Sequence, residues 1–360
     1  MHIETIDPKL ASLGIEGTEI QWINGHDSRL SLHGVFYDET EGLYMRMPAE
    51  VSTLVSPAVR SLSRMTAGGR LRFVTDSPFI AIKAALPAFK PMPHMSITGS
   101  HGFSVYADGI FCARYSPVFD DFLRVSSYSV RERIRFAEKK VIADTVQPRT
   151  IEIYFPLYGG VAEICIGVAP GSVIHTAPSY KRTKPMLFYG SSITQGGCVT
   201  RPGNDYISIL ARRLDADYIN LGFSGSGNAE DTMIEYIASI DASLYGFDYN
   251  MYASRPERIL PPHFSIYERI RAKHPDAGIL MYDKPSEYWE VRESIIRESY
   301  EKAKALGDDL VGFVPAKALL GETEWDCGLV DCSHPNDFGS VRMADALYPG
   351  VCKLLGADKA

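Results

Sequence analysis

Cysteine, positive charge and long apolar runs are all scarce in this 360-residue sequence. The six cysteines lack the density and spacing of a disulfide framework, which excludes a small disulfide-rich scaffold and predicts reduced thiols in a cytoplasmic protein. Lys and Arg number 37 against 44 Asp and Glu, giving a net charge of −7 without any basic stripe. Nucleic acid is therefore not an expected partner, and a small soluble molecule is.

Membrane and targeting segments are also missing from the sequence. No apolar run approaches the roughly 18 residues of a membrane span, so no membrane contact is predicted. The first eight residues, MHIETIDP, have neither the basic start nor the apolar centre of a secretory signal. We therefore expect the mature chain to begin where the sequence does.

The first half of the chain has the pattern of a β-sandwich. Short runs of β-branched and aromatic residues are separated by turn residues from about Ile20 to Val168, with few helical patterns. In one of them Ile151, Ile153 and Phe155 alternate with more polar residues, as in a strand with one buried face. The dipeptide Asp108-Gly109 predicts a tight hairpin. We predict an all-β, jelly-roll-like sandwich domain over residues 1–180.

The second half alternates strands and helices. It follows a polar, proline-bounded stretch at residues 177–185 that is typical of a linker. The predicted strands are 186–189, 217–221, 244–249, 278–282 and 310–314. The predicted helices are one capped by Asn204, then 264–274, 287–306 and 337–355. This order predicts a three-layer α/β/α domain over residues 181–360 with a five-stranded parallel sheet, whose ligand lies beyond the carboxyl ends of the strands.

The first predicted parallel strand ends in a turn that carries a candidate nucleophile. Ser192 lies in the segment GSSITQGG, where a strand-to-helix turn can expose a serine hydroxyl at the sheet edge. The alternative is an anion-binding glycine loop, but neither the Gly-Lys-Ser/Thr of a P-loop nor a G-x-G-x-x-G pattern is present. The G-x-S-x-G elbow is absent as well.

Two further strand ends offer hydrogen-bond donors for a developing oxyanion. Gly222 begins a Gly/Ser-rich segment in which a backbone N–H can approach a substrate closely, although such segments also form ordinary loops. Asn250 follows the third strand and can supply a side-chain N–H, or it can simply cap the next turn.

A candidate general base lies just before the last helix, in the segment DCSHPND. Asp331 stands three residues before His334 and can accept the imidazole Nδ1–H, which leaves Nε2 to take a proton from serine. The alternative is a structural turn and capping cluster. Cys327 and Cys332 lie nearby, but no second Cys or His pair completes a tetrahedral site, so no metal is predicted.

Taken together, these segments resemble the blocks of the SGNH (GDSL-type) hydrolase superfamily. The resemblance implies that Ser192 is the nucleophile and that Asp331 and His334 complete a catalytic triad. It further implies an oxyanion hole formed by the N–H groups of Ser192 and Gly222 and the side chain of Asn250.

A second resemblance lies in the first half of the chain. The segment GFSVY, residues 102–106, is similar to the "GxDLY" segment of a sandwich domain that precedes a branch of these hydrolases, among them carbohydrate esterases. Two residues depart from the family pattern. Ser191 replaces the aspartate of Gly-Asp-Ser, which predicts altered support for the nucleophile, and Ser104 replaces the aspartate of the sandwich segment.

These observations predict a serine esterase that needs no cofactor and acts through an acyl-enzyme. The resemblance implies a short acyl group, such as acetyl, on a sugar. Tyr249, Tyr252 and Trp325 could stack on a sugar ring or simply pack in loops. Two alternatives stay open: a carbohydrate-binding protein that has lost activity, and an acyltransferase that uses the same residues. The sequence does not indicate the oligomeric state.

Overall fold

The computed structural model describes residues 8–89, 91–123, 129–248, 260–285 and 289–357, and the chain divides into two compact units. The first unit comprises Met1–Arg46, Arg64–Ser179 and Thr200–Gly203. The second comprises Met47–Ser63, Tyr180–Val199 and Asn204–Ala360.

The first unit is built around two antiparallel sheets. Its strands are β1 Gln21–Asn24, β2 Ser31–His33, β3 Phe36–Asp38, β4 Leu43–Met45, β5 Arg70–Thr75, β6 Phe79–Ala88, β7 Phe103–Ala107, β8 Ile110–Tyr115, β9 Ser129–Val141, β10 Arg149–Tyr154, β11 Glu163–Val168 and β12 Ile174–Thr176. One sheet has the order β1-β11-β6-β9; the other has the order β12-β5-β10-β7-β8, with β2 also paired to β5. The predicted sheet-rich first domain is confirmed.

The hydrophobic core of the first unit lies between these two sheets. Ile82 and Ile166 from the first sheet and Phe73 and Ile153 from the second belong to one buried cluster. The hairpin predicted at Asp108-Gly109 joins β7 to β8, and both turn residues have positive φ, 49° and 79°. That backbone conformation is the one that a two-residue turn between twisted strands requires.

The helices before the parallel sheet are short. They are α1 Pro8–Ala11, α2 Ala49–Val55, α3 Pro57–Leu62, α4 Ile97–Ser100 and α5 Phe119–Leu123. Helices α2 and α3 belong to the second unit, where Met47 and Val59 are buried in the core that also contains Ile234 and Ile237. Residues 47–63 therefore group with the second unit, because the contacts that bury them are made with a helix far along the chain. The predicted domain boundary at residue 180 stays a prediction.

The second unit contains the predicted five-stranded parallel sheet, in the order β14-β13-β15-β16-β17. Its strands are β13 Arg182–Gly190, β14 Ala216–Gly222, β15 Leu244–Phe247, β16 Gly278–Tyr282 and β17 Val311–Val314. The strand order reverses at β13, which separates the two strands that follow it in sequence, β14 and β15. In doubly wound sheets, ligands bind beyond the carboxyl ends of the strands at such a point.

Helices cover both faces of this sheet. They are α6 Ser192–Gln195, α7 Tyr206–Leu214, α8 Asp231–Ser239, α9 Leu260–Lys273, α10 Trp289–Ala305, α11 Ala316–Leu320 and α12 Asp337–Leu354. Alternate residues of β13 point to opposite faces: Leu187 and Tyr189 join the core with α8, α9 and α10, whereas Met186 and Phe188 join the core with α7, α11 and α12. The three-layer arrangement follows from this alternation.

Two local features differ from the sequence predictions. Helix α7 is capped by Asp205, whose side chain accepts the Ser208 N–H at 2.9 Å, and not by Asn204. Both residue types suit a cap, so the choice depends on the backbone conformation at the helix start. Helix α8 was not predicted, although Met233, Ile234 and Ile237 bury one of its faces.

Two properties of the whole chain complete the description. No helix among the described residues combines the length and the apolar character needed to cross a membrane. All six cysteines, which lie within the described ranges, are free thiols.

Candidate active site

The candidate nucleophile lies at the carboxyl end of strand β13, where the strand order of the parallel sheet reverses. Ser192 is the first residue of α6, and it is the one residue between Met186 and Val199 that is not buried. The preceding Ser191 caps this helix, because its Oγ accepts the Ile193 N–H at 3.2 Å. Serine is a favourable N-cap residue, so the replacement of aspartate at this position leaves the helix cap in place.

The hydroxyl of Ser192 is in contact with an imidazole. The distance from Ser192 Oγ to His334 Nε2 is 2.8 Å, and the distance from His334 Nδ1 to Asp331 Oδ2 is also 2.8 Å. A carboxylate can only accept hydrogen bonds, so an ionised Asp331 assigns the imidazole proton to Nδ1. Nε2 is then the acceptor for the serine hydroxyl, as a general base requires.

The surroundings of Asp331 favour its ionised form. Burial by itself raises the pKa of this carboxyl, but hydrogen bonds from the His334 backbone and imidazole and from the Ser333 backbone outweigh it, and the pKa is lowered overall. The two backbone N–H groups, of Ser333 and His334, both donate to Oδ1, at 2.8 and 2.7 Å. The Asp331–His334 segment is therefore a side-chain-stabilised turn that also presents Oδ2 to the imidazole.

This turn is fixed to the start of the last helix. The Val330 N–H donates to the His334 carbonyl at 2.9 Å, and Leu329 forms an isolated β-bridge with Pro335. Asn336 then caps α12 through the Gly339 N–H and donates its own side-chain N–H to the Cys327 carbonyl at 2.7 Å. His334 is thus held between a bridged turn and a helix cap, which limits its movement relative to Ser192.

Gly222 has a packing role that the sequence did not predict. Its N–H donates to Asn220 Oδ1 at 2.9 Å, so this donor is already committed inside the protein. A Cβ at this position would lie 2.1 Å from Gln195 N, because α6 packs directly on the glycine. Gly222 allows α6 to approach β14. The role of its N–H in binding an oxyanion stays a prediction, which would require the hydrogen bond to Asn220 to break.

Some of the other residues that the sequence singled out lie within the described residues and others do not. Asn250 lies outside the described residues, as do Tyr249 and Tyr252, so their placement stays a prediction. Trp325 begins a short 3₁₀ helix just before the Asp331–His334 turn, and 39% of its surface is exposed. Ser104 is buried in β7, and its Oγ has no hydrogen-bond partner among the described residues.

Sequence reasoning missed a buried carboxyl next to residues 190–194. We call this segment, which carries the candidate nucleophile Ser192, the nucleophile turn. Asp248 immediately follows β15, is fully buried, and accepts hydrogen bonds from Ser191 N and Thr194 Oγ1. Burial raises its pKa to about 6. The sequence feature that indicates this residue is an acidic side chain directly after a fully apolar parallel strand. The oxyanion role predicted for this strand end was given to Asn250, two residues further on.

The thiol of Cys198 also lies in this region. The residue is buried and has a φ of 72°, which is uncommon for a residue with a Cβ. Burial, followed by the charge of Asp331, raises the pKa of this thiol to about 11. Cys198 is therefore protonated at neutral pH and is not a competing nucleophile.

Comparison with protein families gives two matches that together span most of the chain. Residues 183–352 match the GDSL-like lipase/acylhydrolase family. Residues 20–174 match the family described as the N-terminus of SGNH hydrolase-type esterases. Comparison with curated protein sequences gives no match.

Solved structures share the fold of nearly the whole chain. A GDSL-like lipase from Bacteroides ovatus is 27% identical, with a TM-score of 0.77 over 94% of this chain and 98% of that one. A salicylyl-acyltransferase from a tetracycline biosynthetic pathway is 18% identical, with a TM-score of 0.71 over 93% and 97%. An acetyl xylan esterase from Butyrivibrio proteoclasticus is 14% identical, with a TM-score of 0.59 over 94% and 99%.

Proposed function

We propose that this carboxylic ester hydrolase, whose residues 183–352 belong to the GDSL-like lipase/acylhydrolase family, cleaves short-chain acyl esters with Ser192 as its nucleophile. The observation that carries the proposal is the continuous contact from Ser192 Oγ through the His334 imidazole to Asp331, with 2.8 Å at each step. Such a contact between hydroxyl, base and orienting carboxylate is what acyl transfer to serine needs.

The proposed reaction has two steps. In the first, Ser192 Oγ attacks the ester carbonyl and passes its proton to His334 Nε2, which then protonates the departing alcohol. In the second, a water molecule attacks the acyl-enzyme and passes a proton to the same imidazole, which returns it to Ser192 Oγ as the bond to the acyl group breaks and the acid is released. Asp331 orients the imidazole and stabilises its charged form in both steps.

We propose three hydrogen-bond donors for the oxyanion. The Ser192 N–H, at the first turn of α6, and the side chain of Asn250 remain the proposed donors from the sequence. As an alternative to Gly222 we propose the N–H of Gly225, for which no hydrogen bond is found among the described residues. Gly225 has a φ of 66° and follows Ser224, whose N–H donates to Gln195 Oε1 on α6. Losing one such donor typically costs about 100- to 1000-fold in rate.

We further propose an acetylated sugar as the substrate. The acetyl xylan esterase and other carbohydrate esterases share the fold, and the exposed Trp325 precedes the Asp331–His334 turn, where an indole can stack on a sugar ring. The fold alone does not set the substrate, so this part of the proposal depends on direct assay.

The test compares wild type with Ser192→Ala on acetylated xylo-oligosaccharides and on p-nitrophenyl esters of increasing chain length. We expect release of acetate by the wild type, a preference for the shortest esters, and a loss of roughly 10⁴-fold or more in kcat in the variant. Retained turnover in Ser192→Ala would reject the nucleophile. A binding protein without activity would release no acetate even as wild type, and a preference for long chains would reject the substrate class.

Acyl transfer is the second candidate function, because a salicylyl-acyltransferase shares the fold. It would use the same triad with a second alcohol in place of water. Product analysis with and without an added unacetylated sugar separates the two reactions: hydrolysis gives free acetate in both cases, whereas transfer gives an acetylated acceptor.

A further inference from the structure

A buried carboxyl supports the nucleophile turn from within the protein. Asp248 is fully buried, and its Oδ1 accepts the Ser191 N–H at 3.2 Å and the Thr194 hydroxyl at 2.6 Å. These two donors stand immediately before and two residues after Ser192. The carboxyl therefore fixes the backbone on one side of the nucleophile and a side chain on the other, without being part of the proposed triad.

The close approach of Asp248 to Gly190 depends on the pairing of strands β13 and β15. Strands β13 and β15 are parallel and adjacent, with Tyr189 paired to Phe247, so the residues that follow them lie side by side. A Cβ on Gly190 would lie 1.5 Å from Asp248 Oδ1. The carboxyl thus occupies the space that any other residue at position 190 would fill, and Gly190 and Asp248 form a matched pair.

Further polar groups continue inward from Thr194. The Thr194 hydroxyl lies 3.2 Å from the Tyr206 hydroxyl, which lies 2.8 Å from the Tyr282 hydroxyl. Both tyrosines are fully buried, and burial raises the pKa of each well above its usual value, so both stay neutral. Neutral hydroxyls in a chain of this kind strengthen one another in a low-dielectric interior.

The second carboxylate oxygen of Asp248 makes no contribution to this hydrogen bonding. Oδ2 is buried and has no hydrogen-bond partner among the described residues. A buried carboxyl with one unsatisfied oxygen costs stability, so a residue retained only for the fold would be expected to have both oxygens satisfied.

We propose that Asp248 is a positioning residue for the esterase reaction, whose ionised carboxylate holds Ser191 and Thr194 so that Ser192 Oγ stays aligned with His334. This inference rests on the proposed role of Ser192. Protonation of the carboxyl weakens both hydrogen bonds, because hydrogen bonds to an ionised acceptor are about twice as strong as neutral ones. The alignment of the nucleophile then depends on the charge state of a group that never contacts the substrate.

The electrostatic surroundings place this change of charge near neutral pH. Burial raises the pKa of Asp248 to about 6, against the lowering effects of the Thr194 and Ser191 hydrogen bonds and of Lys284, and Asp283 adds a small increase. Tyr206 and Tyr282 also face the carboxyl and remain neutral. Asp248 is ionised above about pH 6 and protonated below it, so the aligned form of the nucleophile turn is lost on acidification.

The test is Asp248→Asn, which keeps the shape of the side chain and removes its charge. For p-nitrophenyl acetate we expect kcat to fall about 10- to 100-fold, with KM within about threefold of wild type, because misplacing a reacting group by about 1 Å can cost about 100-fold. Labelling of Ser192 by a serine-directed phosphonate should slow in parallel. On acidification, log(kcat/KM) should fall with a slope greater than one per pH unit in wild type. In the variant, which lacks the titrating carboxyl, the slope should be one.

Asp205→Asn provides the matched control. Asp205 is also buried, but it caps α7 through Ser208 and does not contact the nucleophile turn. We expect this variant to keep the wild-type kcat and the wild-type acid limb. Equal losses of kcat in the two variants, or a wild-type kcat and profile in Asp248→Asn, would overturn the proposal.

Thr194→Val gives a second route if Asp248→Asn does not fold. It removes the donor at 2.6 Å and leaves the carboxyl in place, so kcat should fall with KM little changed. A wild-type kcat in this variant would overturn the proposal. The Ser192→Ala variant separates the proposed function from the proposed role of Asp248. If Ser192→Ala retains activity, the proposed function is rejected. If Ser192→Ala is inactive while Asp248→Asn and Thr194→Val have wild-type activity, only the role of Asp248 is rejected.

Discussion

Asp331 uses its two carboxylate oxygens for different tasks. Oδ1 accepts two backbone N–H groups and forms the turn, and Oδ2 accepts the imidazole N–H. The sequence pattern allowed either a structural turn or a catalytic pair at this position, and the contacts of both are present. Ser191 is comparable, since its side chain caps α6 while its backbone N–H donates to Asp248. Single residues near the nucleophile thus combine local structure with the support of the site.

Asp248 should also make folding stability depend on pH. Its pKa in the folded protein is about 6, above the usual 3.8, so the folded state binds this proton more tightly than the unfolded state does. The stabilisation is complete below about pH 3.8 and is lost as the pH rises through 6. Between pH 5 and 8 the wild type should lose about 1 kcal/mol of unfolding free energy relative to Asp248→Asn.

Urea unfolding of both proteins at pH 5 and pH 8 measures this difference. The comparison uses the change in unfolding free energy with pH in each protein, so a constant effect of the substitution cancels. Parallel pH dependences in the two proteins would show that Asp248 does not titrate in this range in the folded state.

Helix α6 is an element that tertiary contacts stabilise. It has four residues, far fewer than the 12 to 15 or so that a free helix needs to be even marginally stable. Its Thr194 carbonyl accepts the Asn220 side-chain N–H at 2.7 Å, and its Gln195 side chain accepts the Ser224 N–H at 2.9 Å. Together with Asp248, these contacts connect the nucleophile helix to the ends of β14 and β15.

Gly222→Ala should disturb this element. The added Cβ would lie 2.1 Å from Gln195 N, and the backbone atoms it meets cannot rotate away as a flexible side chain could. We expect a loss of about 1–3 kcal/mol in unfolding free energy together with a lower kcat, because α6 and Ser192 must shift. Urea unfolding and esterase assay measure the two effects.

Gly14→Ala is the control for this substitution. A Cβ at Gly14 would meet no atom within 4 Å, and its φ is not in the left-handed region, so the variant should match wild type. If Gly222→Ala also had wild-type stability and kcat, this result would contradict the claim that α6 leaves no room for a Cβ at position 222.

The two compact units are not continuous halves of the chain. The second unit includes Met47–Ser63 from the first half of the sequence, and it excludes Thr200–Gly203. Met47 and Val59 are fully buried, in the same core as Ile234 and Ile237 of α8. The core of the second unit therefore includes a segment that lies more than 100 residues before strand β13.

Truncation tests this organisation. A chain of residues 181–360 lacks Met47 and Val59, so the apolar surface of α8 that they cover would be exposed. We expect this chain to be less stable than the full-length protein and to associate at concentrations where the full chain does not. Size-exclusion chromatography and thermal unfolding would reveal this. A monomeric, fully active 181–360 would show that residues 47–63 are dispensable.

The sequence by itself determined the parallel sheet and the candidates for the triad. Residues 278–282 were predicted as a strand with the bounds that the structure gives, because a short apolar run between turn residues has few other conformations. Ser192 and the pair Asp331 and His334 were identified because each stands at the end or start of a regular element, where side chains face the ligand side of the sheet. The predicted cytoplasmic location stays a prediction.

Only the tertiary structure decided how these residues are supported. The N–H of Gly222 is committed to Asn220, α6 packs on that glycine, and Asp248 contacts Ser191 and Thr194. Each of these contacts joins residues from different strands or helices, and their distances depend on strand order and register. Local periodicity carries no information on either, because the same apolar run can pair with any neighbour; long-range packing selects one arrangement and places the buried carboxyl against the nucleophile turn.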